Sequence, residues 1–377
     1  MRIVGDDPDE LAPALREGLR RELLVVSGGL GPTHDDRTVE LLAAAAGLPL
    51  RLDVELEARI ERISREFAAR SGRPYLDFAP GVRKQATMPE GAIVVGLAGT
   101  APALLLELGS RVAVVLPGPP RELQALWPAA TALEPFRRLL ERAAPRARRV
   151  LRFYGIGESA VARALDAAGG EREGVEATIC ARDFEIHVDL LVDPGAEQAA
   201  DELSAAFCAP LAEYLFARSE RSIEEIVIEG FGSRGLTLAT AESCTGGLVA
   251  ARLTDVPGSS AVFRGAIVAY ANAVKEGELG VPAETLARHG AVSPETALAM
   301  ARGARARLAA DAAVSVTGIA GPGGGSEEKP VGLVNLCASG PDGELAAELR
   351  LPGDRETIRR RATVAALHLL ARLLSGR

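Results

Sequence analysis

Leu236-Thr237-Leu238-Ala239-Thr240-Ala241-Glu242-Ser243-Cys244-Thr245-Gly246-Gly247-Leu248 is the stretch on which the reading of this chain turns. Leu236 to Ala239 reads as a buried strand and a helix begins near Leu248, so Ala241 to Gly247 is a strand-to-helix turn. The first N–H groups of a helix lack intrahelical partners and favour negative charge. Gly246 and Gly247 let such a backbone approach a ligand closely. Ser243 therefore stands where a hydroxyl could attack a carbonyl while nearby amides hold the resulting oxyanion. A serine that merely caps a tight turn explains the same residues equally well at this level.

Working outward, Ala261 to Tyr270 is apolar enough for a strand. Ser293-Pro294 is an N-cap followed by proline at the first helical position, and it opens a long helix to about Ala309. Ala312 to Thr317 is a strand that runs into a glycine-rich loop, Gly318 to Gly325. Val331 to Ala338 and Leu345 to Leu351 read as an antiparallel pair joined through Gly340-Pro341-Asp342-Gly343. Asp354 caps a last helix whose Ile358, Ala362, Ala365, Leu369 and Leu373 share one face.

Upstream, the acidic pair Asp9 and Glu10 opens an amphipathic helix to about Arg21. Leu23 to Val26 is a strand leading into Ser27-Gly28-Gly29-Leu30-Gly31-Pro32, and a helix follows from about Arg37. Ala92 to Val95 and Val112 to Leu116 are further strands. This alternation predicts a parallel sheet covered on both faces. Between these blocks lie a Gly155-Ile156-Gly157-Glu158-Ser159 turn, a helix from Ala160, strands near 177–180 and 185–191, and a helix from Glu197 to about Leu211. The expected class is α/β and multidomain, divided at 1–145, 146–220 (a small α+β module) and 221–377.

Composition agrees. At 377 residues the chain has room for two or three domains. Hydrophobic residues reach 47% and aromatics only 4%, so the cores are built from Ala, Leu and Val. A net charge of -8 suits nucleic acid poorly, because phosphate contacts need clustered bases. Arg138, Arg142, Arg146, Arg148 and Arg149 do cluster, and they read as a solvated helix face and linker. Four scattered cysteines fit reduced thiols. Four histidines show no ligand-like pair. The amino terminus is too acidic for a signal peptide, and the apolar run Leu41 to Leu50 is too short to span a bilayer. A cytoplasmic protein with no membrane or nucleic-acid partner is expected.

A serine nucleophile needs a base. The candidate is Lys275, at the end of Tyr270-Ala271-Asn272-Ala273-Val274-Lys275. A lysine against apolar surface loses solvation, its pKa falls, and it can take the serine proton. Tyr270 could bond serine or lysine and relay protons. A surface lysine opening a helix is the plainer explanation. Val316-Thr317-Gly318 and the glycines beyond suit a ligand-wrapping loop, or a plain connection. Arg355, at a helix start, and Arg359, one turn on, suit a phosphate, or are ordinary exposed arginines. In the first block, Asp35 and Asp36 could hold Mg²⁺ through oxygen, or simply cap a helix.

These segments together resemble the CinA family, the competence/damage-inducible proteins. The resemblance covers nearly the whole chain. It is carried by Ala241 to Gly247, Gly258-Ser259-Ser260, Gly290 to Ser293, Thr317 to Gly325 with Glu328 to Gly332, Gly28 to Asp36, and Leu116 to Pro120. It implies a carboxy-terminal nicotinamide-nucleotide amidase that converts nicotinamide mononucleotide and water to nicotinate mononucleotide and ammonia in pyridine nucleotide recycling. Ser243 matches the nucleophile, Lys275 the general base and Tyr270 an assisting residue. Thr317 and Arg355 match substrate-contacting positions, to which Thr245, Gly246, Gly247, Asn272, Gly318 and Arg359 are added as substrate-binding candidates. No cofactor is implied for the amidase. The first domain is similar to molybdopterin-binding proteins and is associated with metal-dependent ADP-ribose pyrophosphatase activity, with Asp35 and Asp36 at its metal site. The middle module resembles a KH-type connector, and a homodimer is implied.

The first domain departs from the family pattern. The strand, Gly-Thr-Glu turn and helix that precede the match to Val4-Gly5-Asp6 are absent, and Ala103 and Gly96 stand for the usual glycine and asparagine. A sheet lacking its first strand, with an exposed edge, is expected there. Three functions are weighed: a serine–lysine amidohydrolase, a Mg²⁺-dependent pyrophosphatase acting through the first domain, and a nucleotide-binding regulatory protein without turnover.

Overall fold

The computed structural model describes residues 1–143 and 145–376. It forms two compact units, Met1–Ala144 and Pro145–Arg377.

The first unit runs α1 (Pro8–Gly18), β1 (Leu23–Ser27), α2 (Thr38–Ala46), β2 (Leu50–Leu52), α3 (Val54–Ser71), α4 (Ala79–Gln85), β3 (Thr87–Pro89), β4 (Ile93–Leu97), β5 (Pro102–Leu108), β6 (Arg111–Leu116), α5 (Pro120–Ala132) and α6 (Glu134–Arg142). Its main sheet has the order β1-β6-β5-β4. The expected parallel sheet is corrected here. Only β1 and β6 pair in parallel, whereas β4, β5 and β6 are antiparallel neighbours. The links between them are short turns, with no room for the crossover helix that a parallel pair needs. Pro102–Leu108, not anticipated as a strand, is one of the most buried. β1 is an edge, and its Leu23 and Val25 are exposed.

The second unit starts with the connector: β7 (Ala147–Tyr154), α7 (Glu158–Ala167), β8 (Val175–Arg182), β9 (Glu185–Val192), α8 (Glu197–Cys208) and β10 (Leu215–Ala217). Its sheet order is β10-β7-β9-β8, and Phe153 meets Phe207 edge-on in its core. The expected linker arginines Arg146, Arg148 and Arg149 lie instead on or just before β7, paired with Glu176, Asp189 and Asp201 respectively. Arg138 and Arg142 are on α6, as expected for a helix.

There follow α9 (Ile223–Ser233), β11 (Leu238–Glu242), α10 (Leu248–Thr254), β12 (Phe263–Val268), α11 (Asn272–Leu279), α12 (Ala283–His289), α13 (Pro294–Leu308), β13 (Ala312–Gly318), β14 (Leu333–Gly340), β15 (Gly343–Arg350) and α14 (Arg355–Ser375). The sheet order is β12-β11-β13-β14-β15, parallel over its first three strands and antiparallel beyond. One face packs on α9, α10 and α14 through Phe231, Val249, Leu253, Ile358 and Leu370. The other packs on the helices from α11 to α13 through Leu279, Leu286, Met300 and Ala304. The predicted apolar positions Ile358, Ala362, Ala365 and Leu369 of α14 are buried and Leu373 partly so, but the expected single face is corrected: every residue from Ala362 to Leu370 is buried, because the sheet covers one side of the helix and α9 and the connector cover others.

The connector hairpin grips this domain. At its tip Asp183 and Phe184 both take left-handed backbone, with φ of 48° and 66°. Asp183 pairs with Arg252 at 2.7 Å and Arg360 at 3.4 Å. His368 of α14 stacks on Tyr154 at 3.7 Å and joins Glu185 at 2.8 Å. Burial holds His368 down to about 3 and pushes Glu185 up to about 7. The two directions fit a neutral imidazole beside a carboxyl group. No helix among the described residues is long and apolar enough to cross a membrane.

Phe231 is 1% exposed in the core between α9 and α14. Phe231→Ala is expected to lower the stability of the second unit by about 3–5 kcal/mol through the cavity it leaves, measured by urea unfolding of the full chain. A loss below about 1 kcal/mol, the size of a surface change, would contradict this packing.

Candidate active site

Side chains alternate across a strand, and this decides the chemistry at the end of β11. Leu238, Thr240 and Glu242 face α10, while Ala239, Ala241 and then Ser243 face the α11 side. Ser243 is 8% exposed and Lys275 1% exposed. Lys275 Nζ lies 3.1 Å from Ser243 Oγ. It also lies 2.8 Å from the Ala269 carbonyl oxygen and 3.2 Å from that of Tyr270. The two chemical groups, 32 residues apart in sequence, are thus in direct contact.

Burial lowers the Lys275 pKa from its ordinary value. The Cys244 thiol opposes this shift only if ionised, and burial pushes that thiol up to about 11. At neutral pH the amine therefore has no thiolate beside it. No carboxylate lies among its hydrogen-bond partners either.

The α10 amino terminus differs from expectation. Three of its N–H groups are already engaged within the protein. The Glu242 carboxylate, 0% exposed, accepts from Gly247 N at 2.8 Å, Val249 N at 3.1 Å and Ala250 N at 2.9 Å, and from Thr240 Oγ1 at 3.2 Å. A buried carboxylate needs such donors, and strand alternation points it at the nearest helix start. The sequence reading missed this role. An acidic residue closing an otherwise apolar strand was the available signal.

The intervening turn is tight. Gly246 and Gly247 have φ of 62° and 99°. Ser243 N donates to Val316 O and Gly246 N to Ser243 O. Among the described residues, the N–H groups of Cys244 and Thr245 donate to no backbone oxygen. Thr245 is fully buried, and its hydroxyl has no partner there.

Other candidates fall around this centre. Thr317 is buried on β13, beside β11, and its hydroxyl donates to Ala291 O at 2.6 Å. A side chain at Gly318 would meet Val334 and the Leu333 carbonyl below 3.0 Å, so only glycine fits. Tyr270 is exposed. Its phenol accepts from Arg355 Nη2 at 2.9 Å and bonds neither Ser243 nor Lys275, while its carbonyl serves Lys275. Arg355 Nη1 donates to Gly321 O at 2.8 Å and so ties the glycine loop to the start of α14. Asn272 is exposed at the first turn of α11. Arg359 donates to the carbonyls of Cys244 and Thr245. Lys329, not singled out by sequence, donates to His289 O and Val292 O and pins the far side of the loop.

In the first unit, Asp35 and Asp36 both accept from the Thr33 hydroxyl, and Asp36 also accepts from Thr33 N at 3.0 Å. Among the described residues no three His, Cys, Asp or Glu side chains converge as a metal cage. A carboxylate pair suits Mg²⁺ that keeps its waters or arrives with a phosphate. A concavity of about 650 Å³ beside β1 is lined by first-unit residues alone, and one of about 570 Å³ beside β7 by connector residues.

Glu242→Gln replaces one acceptor oxygen by an NH₂ group that faces backbone donors. It is expected to lower stability by about 2–4 kcal/mol, read by denaturant unfolding. An unchanged midpoint would contradict the capping role.

Three family descriptions match this chain in order: the probable molybdopterin binding domain over residues 1–134, the damage-inducible protein CinA KH domain over 148–218, and the CinA C-terminal domain over 220–374. A CinA-like protein of Mycobacterium sp. (strain MCS) is 44% identical over 385 residues, spanning 99% of this chain and 89% of that protein. The CinA-like protein of Mycobacterium tuberculosis (strain ATCC 25177 / H37Ra) is 41% identical over 388 residues, with the same 99% and 89% shares. Among solved structures, the competence/damage inducible protein CihA from Agrobacterium tumefaciens is 48% identical, covering 42% of this chain and 99% of its own, with a TM-score of 0.40. The near full-length identity to these relatives and the matching domain order place the chain in the CinA family.

Proposed function

We propose that the second unit hydrolyses the carboxamide of nicotinamide mononucleotide by a Ser243–Lys275 acyl-enzyme mechanism. The observation that carries the reading is the buried contact of 3.1 Å between Ser243 Oγ and Lys275 Nζ. Two of the three Nζ partners, the carbonyls of Ala269 and Tyr270, only accept. A neutral amine offers two N–H groups and one lone pair. Two carbonyls and the serine O–H satisfy that set completely. With Lys275 deprotonated the serine proton points at its base; protonated, Nζ donates to all three oxygens, Ser243 Oγ included.

In the first step Ser243 Oγ bonds to the carboxamide carbon and its proton passes to Lys275. The turn amides receive the oxyanion. The C–N bond then breaks, and the Lys275 proton leaves with the nitrogen as ammonia. Water attacks the ester, gives a proton to Lys275, and releases the carboxylate while Ser243 regains its hydrogen. Ammonia and nicotinate mononucleotide are the products. No step requires a metal. The choice of nicotinamide mononucleotide rests on the family resemblance. Arg355, exposed beside the α14 amino end, is the proposed phosphate contact. A homodimer belongs to the same proposal, with solution mass as its check.

Ammonia release from nicotinamide mononucleotide by the full chain tests the reading. Ser243→Ala is expected to reduce kcat by about 10³-fold or more. Retained activity in that variant would rule out the serine. Lys275→Met should remove activity without lowering the melting temperature, because it also removes a buried amine.

The pH dependence has a definite sign. Burial favours the neutral amine, so the folded pKa lies below the unfolded 10.5. Activity should rise with pH through that lowered value. The cost of burying the amine is absent above the unfolded pKa and grows as pH falls toward the folded one. Any stability gain of Lys275→Met should therefore shrink on alkaline titration. A gain that grows with pH would contradict the assignment.

A further inference from the structure

Arg359 sits one turn into α14 and, from sequence, suits a phosphate. Its guanidinium has a different engagement. Nε donates to Cys244 O at 3.0 Å and Nη2 donates to Thr245 O at 2.8 Å. Two consecutive carbonyls of the nucleophile turn are therefore held by one rigid, planar group. The seat is close: a Cβ added to Gly246 would lie 3.3 Å from Nη2.

A trans peptide plane puts its C=O and N–H on opposite sides. Holding the Cys244 carbonyl toward Arg359 turns the Thr245 N–H away from it. Holding the Thr245 carbonyl likewise turns the Gly246 N–H, which closes the turn on Ser243 O. α14 packs on one face of the sheet, and Lys275 of α11 lies on the other. The Thr245 N–H is thus directed away from Arg359. It and the Cys244 N–H are the amides of this turn that donate to no backbone oxygen among the described residues. The Glu242 carboxylate has taken the Gly247, Val249 and Ala250 amides, so these two are among the donors left near Ser243.

We propose that Arg359 is a positioning residue that holds the Cys244–Thr245 and Thr245–Gly246 peptide planes, so that the turn presents Ser243 and its amides in the geometry that acyl transfer needs, and that it does not read the substrate phosphate. The proposal rests on Ser243 acyl transfer. It does not require nicotinamide mononucleotide to be the physiological substrate.

The test compares full-length wild type, Arg359→Met and Arg359→Lys, each checked by thermal melting. Three probes are used: nicotinamide mononucleotide, nicotinamide riboside (which lacks the phosphate) and p-nitrophenyl acetate. Arg359→Met is expected to lower kcat by about 10²-fold on the nucleotide with KM nearly unchanged, and by the same factor on the riboside. Arg359→Lys keeps the charge but loses the fork that spans both carbonyls, and an intermediate loss is expected. It keeps the comparison readable if the Met variant is destabilised. The p-nitrophenol burst, in which the acetyl group passes to Ser243, should fall in parallel.

A rise in KM confined to the nucleotide, with kcat intact, would identify Arg359 as a phosphate contact and overturn the proposal. Failure of the substrate reading gives a different pattern. There the wild type releases no ammonia yet shows a Ser243-dependent burst. Sensitivity of that burst to Arg359 supports the positioning role, and indifference overturns it. A wild type without ammonia release or burst overturns both.

Discussion

A carboxylate shut away from water organises the reactive end of the second unit. Glu242 is the last residue of β11, and its 0% exposure leaves it dependent on protein donors. The first turn of α10 supplies three N–H groups, with the helix dipole in their favour. The start of the helix is therefore fastened over the end of the strand. The chain between them must reverse within five residues, which is why Gly246 and Gly247 take left-handed backbone. The next residue of the same strand alternation, Ser243, is delivered to the opposite side. One buried charge thus fixes the helix, the turn and the direction of the hydroxyl.

The opposite side obeys a complementary constraint. Lys275 is brought to Ser243 by the first turns of α11, just beyond the end of β12. Among the described residues its amine bonds oxygens only, none of them a carboxylate's. Burial of this kind is costly in stability for a protonated amine and cheap for a neutral one. A site that favours the neutral base is in this sense mildly destabilising, as reactive sites commonly are. The two faces of the sheet divide the work: acid and helix on one, amine and hydroxyl on the other.

Local sequence carried much of this. The strand-turn-helix around Ser243, the strand ending at Thr317, the Pro341-Asp342 hairpin and the existence of α14 all follow from periodicity and turn residues, whereas the burial of α14 on every side over 362–370 does not. The strand directions of the first unit did not. Nothing in Pro102–Leu108 distinguishes a parallel neighbour from an antiparallel one except the brevity of the links beside it. The arginines of β7 read as a linker because their ion partners, from Glu176 to Asp201, lie far along the chain. Within the site, contact between Ser243 and Lys275 was foreseeable only by matching chemical need to chemical type. The commitment of the Tyr270 phenol to Arg355, across 85 residues, left no local trace. The use of the α10 amides by Glu242 was hidden because a strand-terminal acid has no fixed meaning until its face is known.

The seam between connector and carboxy-terminal domain has a consequence for dissecting the protein. His368 is kept neutral by a wall made of Tyr154, Phe216 and Glu185, all contributed by the connector. Excising that module would bare the imidazole and an apolar stripe of α14 together. The ring would return to ordinary basicity and titrate near neutrality, giving the fragment a proton-dependent surface that the intact chain does not possess. Acid–base behaviour measured on such a piece would partly report the cut.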